Sequence, residues 1–470
     1  MWLTRMNARI GVFSIGLAAY WPQFPGLRER LENYRREVED RVRGWGCNIV
    51  SAGLVDTPEG AREAGQIFQR EDVDLILCHA ATYATSSQVL PVVQKTRVPV
   101  LVLNLQPSAA LDYETADTAE WLANCSACCV PEISNAFARA CIDFHVVSGQ
   151  LHADAAAWSE IEDWCRAAGV ARAVHQCRIG FLGHTYPGML DMYSDFTMMH
   201  AQLGAHIELL EMDDLAQRVP DSAADETCAK RAALREAFAI EPDVAESDLD
   251  WAARVAVALD RLAADFALDG LTYYYRGLDG NAFERLGGGL IAGNTLLTAR
   301  GIPAAGEGDL KTCLAMLMMD RFGAGGSYTE FYSMDFRENF MLMGHDGPGH
   351  IAISDTCPVL RGLGLYHGKR GAGVSVEFKV KTGPVTILGL TQTADGQLKL
   401  IGAEGESLPG PILRIGNTNS RLRFGLPPAE FVNRWSMEGP THHCALGTGR
   451  QLARIGKLAR LLKIPLAVVK

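Results

Sequence analysis

The feature that most constrains this chain is the alternation in its N-terminal part. Short, uninterrupted apolar runs ("RIGVFSIG", "CNIVSAGLV", "VDLILCHA", "PVLVLNL") are separated by segments with helical spacing, such as "LRERLENYRREVEDRVRGWG" and "GAREAGQIFQRE". The first of these helices has a charged outer face and a glycine, Gly46, where it should stop. Apolar strands without polar alternation are buried on both faces, and helices between them supply the cover. The pattern therefore specifies a parallel sheet in an α/β layer fold.

A second series of the same kind opens at Arg178 with "RIGFLGHTYPGMLDMYSDF" and continues through the helical "WAARVAVALDRLAADFAL" and the strand-like "GLTYYYR". Loops that follow parallel strands open onto the crevice where such sheets bind ligands, which makes His184, Tyr186 and Asp191 candidates for a site. Beyond residue 326 the texture changes. "GVSVEFKVKTGPVTILGLTQTADGQLKLIGAEGE" alternates polar and apolar positions and is punctuated by turn residues, as antiparallel hairpins are. The closing "GRQLARIGKLARLLKI" reads as an amphipathic helix that ends the fold.

A chain of 470 residues exceeds what one hydrophobic core organises, so several domains are expected. The expected architecture is α/β: two doubly wound parallel-sheet domains, 1–172 and 173–325, then a β-rich, barrel-like C-terminal domain, 326–470. With 44 basic and 55 acidic residues the net charge is −11, and no block of like charge runs along the chain. That excludes a surface built to track phosphates or an anionic membrane, leaving small molecules and other subunits as partners. No apolar run is long enough to span a membrane and the N-terminus lacks a cleavable apolar leader, so a cytoplasmic location is expected. Twelve scattered cysteines also suit a reducing compartment. "CSACC" contains a CxxC at Cys125 and Cys128, which read alone fits redox chemistry or half a zinc site, but no second CxxC completes four thiolates.

Four stretches carry side chains suited to chemistry. In "AAGEGDLKT", Glu307 and Asp309 precede a helix; capping explains Asp309 and leaves Glu307 over. In "GGSYTEFYSMDF", Glu330 lies among Tyr328, Phe331 and Tyr332, where a buried acid needs a partner or a cation. A solvent-facing glutamate on an alternating strand is the competing reading. "MLMGHDGPGH" places His345 and His350 among glycines, and "GPTHHCALGTG", which reads as a loop, holds the pair His442 and His443. Two carboxylates and two imidazoles form a donor set that suits manganese or another octahedral divalent ion better than a thiolate-seeking one. The spacing is irregular and makes no local motif.

"GEGDLKT", "GSYTEFY", "LMGH" and "THHC" occur in the order of matching segments of the L-arabinose isomerase family, within the L-fucose/L-arabinose isomerase superfamily. "PQFPG" followed by "LRERL", and "NCSA", extend the resemblance over most of the chain in patches. The resemblance implies three-domain subunits in trimers or hexamers with active sites between subunits, a divalent ion (Mn²⁺, or another such as Co²⁺), and reversible aldose–ketose interconversion of a small sugar through a cis-enediolate. It implies that Glu307 and Glu330 ligate metal and move protons, and that His345 and His443 complete the ligand set. His442 would orient the ion or line the sugar pocket, and Gln23, Tyr83, Cys125, His184 and Asp335 join it as expected substrate contacts. Two departures stand out. Only 15 residues separate Glu330 from His345 (345 − 330), shorter than in the family, and Asp335 lies inside that span as a substitute ligand, since fucose isomerases use an aspartate. Cys125 stands where arabinose isomerases have a glutamine, which points to a different sugar. The alternatives are an isomerase on this scaffold acting on a deoxy or branched sugar, and a non-catalytic sugar-binding protein made of paired α/β domains.

Overall fold

The computed structural model describes residues 8–96, 98–275, 281–362 and 373–470; Arg276, the last residue of "GLTYYYR", lies outside them. The chain divides into two compact units, the first reaching Ala173 and the second running from Val174 to Lys470.

The first unit is built on five parallel strands: β1 (Arg9–Ile15), β2 (Asn48–Val55), β3 (Leu75–His79), β4 (Val100–Gln106) and β5 (Phe144–Gln150). They lie in the order β2-β1-β3-β4-β5, so the order in which strands are added, not their direction, switches between β1 and β3. Ile10, Val12, Leu75, Leu77, Leu101 and Leu103 have no or almost no exposure, as expected of strands covered on both faces. The helix Leu27–Gly44 follows β1, and Gly46, at φ +90°, turns the chain out of it into β2. Thr57 caps the next helix, Pro58–Arg70, accepting from the Gly60 amide at 3.1 Å.

At the reversal point, Ser14 and His79 pair across β1 and β3, with Ser14 Oγ 2.8 Å from His79 Nδ1 and both residues buried. Burial, helped by the charge of Arg35, pushes His79 down to about 4. Because the unfolded histidine protonates near 6.5, the unfolded state binds the proton first as the pH falls. The stability this neutral imidazole confers is therefore intact above about pH 7 and is lost between about 7 and 4, up to ~3 kcal/mol. Urea unfolding across that range should show a slope that His79→Asn flattens.

The second unit opens with another parallel sheet: β6 (Arg178–Gly183), β7 (His206–Leu210), β9 (Gly270–Tyr274) and β10 (Ala304–Ala305), with the short β8 (Ala239–Ile240) pairing elsewhere. The order β10-β9-β6-β7 again reverses between its first and third strands, and the carboxyl ends of β6, β9 and β10 lie together there. Ten consecutive residues of the next helix, Leu310 to Met319, are buried, because it is packed on more than one side. Cys313 Sγ meets the carbonyls of Leu271 on β9 and of Pro303, while Met316 and Met319 press on the strands that follow.

Those strands are β11 (Gly325–Asp335), β12 (Phe340–His345), β13 (Val359–Gly362), β14 (Val374–Glu377), β15 (Gly383–Gln392), β16 (Leu398–Ser407), β17 (Thr418–Phe424), β18 (His443–Thr448) and β19 (Leu466–Val468). Six of them, β15-β18-β11-β12-β17-β16, close on themselves through a β15–β16 pairing as an antiparallel barrel. Closure removes the free edges that long apolar strands would otherwise expose. β13, β14 and β8 form a small separate sheet.

Two readings of the sequence are corrected here. "THHCALGTG" is not a loop: His443–Thr448 is a barrel strand whose glycine-rich sequence hid the buried run Cys444, Ala445 and Leu446. The amphipathic helix Leu452–Leu462 does not close the fold either. Lys463 ends it in a left-handed conformation, φ +57°, and β19 then adds in parallel to β16.

Candidate active site

Glu307 follows β10, in the turn Gly306-Glu307-Gly308 at the carboxyl end of the second parallel sheet. Its φ of +61° is uncommon for a residue with a side chain, and such strain persists where the surroundings impose it. They do so here: the Tyr186 amide donates to the Glu307 carbonyl at 2.8 Å, and Thr185 Oγ1 reaches the Gly308 carbonyl at 3.3 Å. Gly308 is itself at φ +71°, and a Cβ there would lie 2.5 Å from the His184 carbonyl oxygen.

The barrel supplies the other groups through its register. Glu330 on β11 pairs with His443 on β18 on one side and with Gly344, next to His345, on the other. Directly opposed residues of an antiparallel pair have Cβ atoms ~5 Å apart. Residues 98 positions apart, His345 and His443, thus bring their Nε2 atoms to 3.2 Å. Glu307 Oε2 lies 3.8 Å from His443 Nε2 and 4.0 Å from His442 Nε2. Two overlapping donor groups result, Glu330 with His345 and His443, and Glu307 with His442 and His443, each with its ligand atoms within 4.8 Å of one another. These are the two such groups among the described residues, and neither includes a cysteine.

Both buried histidines are backed by carboxylates. His443 Nδ1 faces the Tyr328 hydroxyl at 2.7 Å and Asp309 Oδ2 at 3.1 Å, while His345 Nδ1 lies 3.2 Å from Asp346 Oδ1. An ionised carboxylate only accepts, so Asp309 holds the proton of His443 on Nδ1 and leaves a lone pair on Nε2. Asp309 also caps the following helix through the Thr312 amide at 3.0 Å. Burial raises its pKa, but the His443 and Thr312 bonds outweigh that and hold it below the usual range. Glu330 goes the other way: burial, with the charges of Glu307 and Asp346, raises it against the opposing pull of His443 and His442. Tyr328 is raised well above a normal phenol by burial and by the carboxylates of Asp309, Glu307 and Glu330.

His442 is anchored differently. Its Nδ1 lies 2.7 Å from Asp191 Oδ2, and its backbone amide donates to the same oxygen at 2.9 Å. Burial would raise Asp191, yet these bonds bring it down to about 2, and they raise His442 against its own desolvation. Asp191, Glu330 and His442 line a pocket with Phe331, Trp435 and Ser436. Its volume of about 400 Å³ is within the ordinary range for small-molecule sites.

The structure thus brings together Glu307, Glu330, His345, His443 and His442. Asp335 sits at the far end of β11, where it accepts from the amides of Arg337 and Glu338 at 2.8 Å and organises the turn into β12. Five residues of strand from Glu330 amount to ~17 Å. His350 is also apart from the cluster, bound to Asp320 at 3.2 Å. His184 lies at the end of β6, exposed, with its ring 5.2 Å from Tyr274 and its Nδ1 on the Thr185 carbonyl. Gln23, Tyr83 and Cys125 belong to the first unit. There Gln23 Nε2 donates to the Ala19 carbonyl, the Tyr83 hydroxyl donates to Glu132, and the buried Cys125 thiol is pushed up to about 11 by desolvation and by Cys128. Asp309 as a histidine partner, Tyr328 and Asp346 were not legible as site residues. The one signal was a second acid in "GEGD" that a cap accounts for.

The donor chemistry fits a divalent cation. Carboxylate oxygens and imidazole nitrogens gather in two overlapping groups that share His443, a donor set that suits a divalent ion.

No protein-family model matches the chain. A sulfoquinovose isomerase from Alkalicoccus urumqiensis is 22% identical over 322 residues, 67% of this chain and 70% of that protein. An L-arabinose isomerase from Vibrio parahaemolyticus serotype O3:K6 (strain RIMD 2210633) is 24% identical over 359 residues, 70% of this chain and 67% of that protein. Over about two thirds of its length the chain is thus similar to proteins named as sugar isomerases. It is therefore read as an enzyme. Among solved structures, a periplasmic solute binding protein from Actinobacillus succinogenes with bound D-allose is 13% identical, covering 63% of this chain and 83% of that one, at a TM-score of 0.18. That score carries no argument about fold or ligand. No helix among the described residues is long and apolar enough to cross a membrane.

Proposed function

We propose that the protein is a divalent-metal-dependent aldose–ketose isomerase acting on a small aldose through a cis-enediolate, with Glu307, Glu330, His345 and His443 as the ligand set. The observation that carries this reading is the convergence of two glutamates and two carboxylate-backed histidines beside a small-molecule pocket. A divalent ion, when bound, would neutralise the negative charge that develops on adjacent sugar oxygens.

The chain's own groups account for the rest. Moving a carbonyl from C1 to C2 requires a proton to leave C2 and a proton to reach C1, with hydrogen shifts between the two oxygens. Two carboxylates can divide such work, one taking the proton and the other returning it, and Glu307 and Glu330 are the pair proposed for it. Asp309 keeps the Nδ1 side of His443 occupied, so that its Nε2 stays aimed at the centre. Phe331 and Trp435 give the pocket an apolar wall for the C–H face of a sugar.

The two named relatives act on different sugars, a sulfonated hexose derivative by the name of one and an aldopentose by the name of the other. Among the described residues, no lysine or arginine lines the pocket beside Glu330 and His442, and we favour a neutral aldose of the L-arabinose or L-fucose type. Deoxy and branched sugars remain in the set to be assayed. Mn²⁺ is the ion of choice, with Co²⁺ second, and the proposed assembly is a trimer or hexamer of three-domain subunits (1–172, 173–325 and 326–470) in the cytoplasm.

The test is isomerisation in D₂O with a panel of aldopentoses, aldohexoses and their 6-deoxy and 6-sulfonated forms. Ketose carrying solvent deuterium at C1 supports the enediolate route. Ketose without deuterium overturns that route, and no ketose from any aldose overturns the isomerase assignment.

A further inference from the structure

The segment between β6 and the helix Phe196–Leu203 is held at several points. Tyr186 donates its amide to the Glu307 carbonyl, and the Tyr186 ring packs on Tyr274 at 4.6 Å between centroids. Lys311, 1% exposed, sends its ammonium to the Tyr193 carbonyl at 2.9 Å and to Ser194 Oγ at 3.3 Å. A buried cation spent on a loop carbonyl and a hydroxyl is costly to desolvate, so the loop's position is strongly specified. Between these anchors sits Asp191, in the short turn Leu190–Met192. One of its oxygens takes both the backbone amide and the ring Nδ1 of His442, a residue 251 positions away.

We propose that Asp191 is a positioning residue for His442 and that His442, through Nε2, accepts a hydrogen bond from a substrate hydroxyl held between it and Glu307. An aspartate accepts only, so Nδ1 of His442 donates to it, and in the neutral ring the lone pair is on Nε2. Nε2 lies 4.0 Å from Glu307 Oε2, too far for a direct hydrogen bond and close enough for one hydroxyl to touch both. About a third of each side chain, 35% of Asp191 and 37% of His442, is open to solvent, and both line the pocket. The segment "GEGDLKT" then sets both histidines: Asp309 orients His443 directly, and Lys311 fixes the loop that brings Asp191 to His442.

The activity arm of this inference rests on the isomerase reading; the spectroscopic arm does not. In a double-mutant cycle with the Mn²⁺-loaded enzyme, His442→Ala should lower kcat/KM by about 10- to 100-fold and Asp191→Ala by about tenfold, with Mn²⁺ affinity unchanged in Asp191→Ala. The double variant should be no worse than His442→Ala alone. Additive losses, or full activity in Asp191→Ala, would overturn the coupling. Independently of turnover, ¹⁵N-histidine NMR of the full chain with Mg²⁺ present should show His442 as the Nδ1–H tautomer, lost in Asp191→Ala. An Nε2–H tautomer in the unaltered protein, or no change in the variant, would contradict the proposal.

Discussion

Glu307→Gln is expected to lower turnover by ~10³-fold or more while leaving the fold unchanged. The substitution keeps the volume and hydrogen-bonding reach of the side chain but removes its charge and its capacity to take a proton. General acid–base groups contribute ~10²–10⁴-fold, and the loss of one anionic donor adds to that. The strained turn is fixed through the Glu307 and Gly308 carbonyls, which bond Tyr186 and Thr185 and are kept in the variant. Circular dichroism and the unfolding midpoint should therefore match those of the unaltered protein, and ketose formation by Glu307→Gln at more than a tenth of the normal rate would remove Glu307 from the catalytic role.

His443→Ala should behave differently, costing both turnover and stability. Its Nε2 is shared by both candidate donor groups, so its removal reduces each of them to two ligands and Mn²⁺ affinity should fall accordingly. Behind the ring, Asp309 is completely buried and relies on the His443 Nδ1–H as well as on Thr312. Alanine removes one of that buried carboxylate's charge-assisted bonds, leaving those to Thr312, and opens a cavity beside Tyr328, which should lower stability by about 2–3 kcal/mol. The contrast between the two variants, one catalytic and one also structural, is read by denaturant unfolding alongside the assay. A His443→Ala protein as stable as the parent would mean that Asp309 is supported without it.

The parts of the architecture that were readable in the sequence are those in which local periodicity and burial agree. Leu75 to Cys78 and Val100 to Leu103 are apolar without a break because both faces of the first sheet are covered. The barrel strand β15 announced itself by turns at each end. β18 did not, because "HCALGT" combines glycine and small residues that carry no strand signature, and only pairing with β11 and β15 makes it one. The glutamates and histidines were readable as candidates by residue type and resemblance, whereas their meeting depends on barrel register. That register sets Glu330 opposite His443 and puts Asp335 beyond reach at the turn. The contacts hidden from sequence are the long-range ones. Asp191 with His442 and Asp309 with His443 join the α/β part of the second unit to the barrel, and no local spacing encodes such pairs.

The most direct test of the account is metal-dependent turnover. The protein is stripped with chelator, Mn²⁺ is restored in steps, and ketose formation is followed from L-arabinose, D-galactose, L-fucose and related aldoses alongside Mn²⁺ binding. The account predicts no ketose from the stripped protein and a rate that rises with Mn²⁺ to saturation as the Glu307, Glu330, His345 and His443 centre fills. Turnover that persists undiminished after full stripping, or a protein that binds no divalent ion, would contradict it.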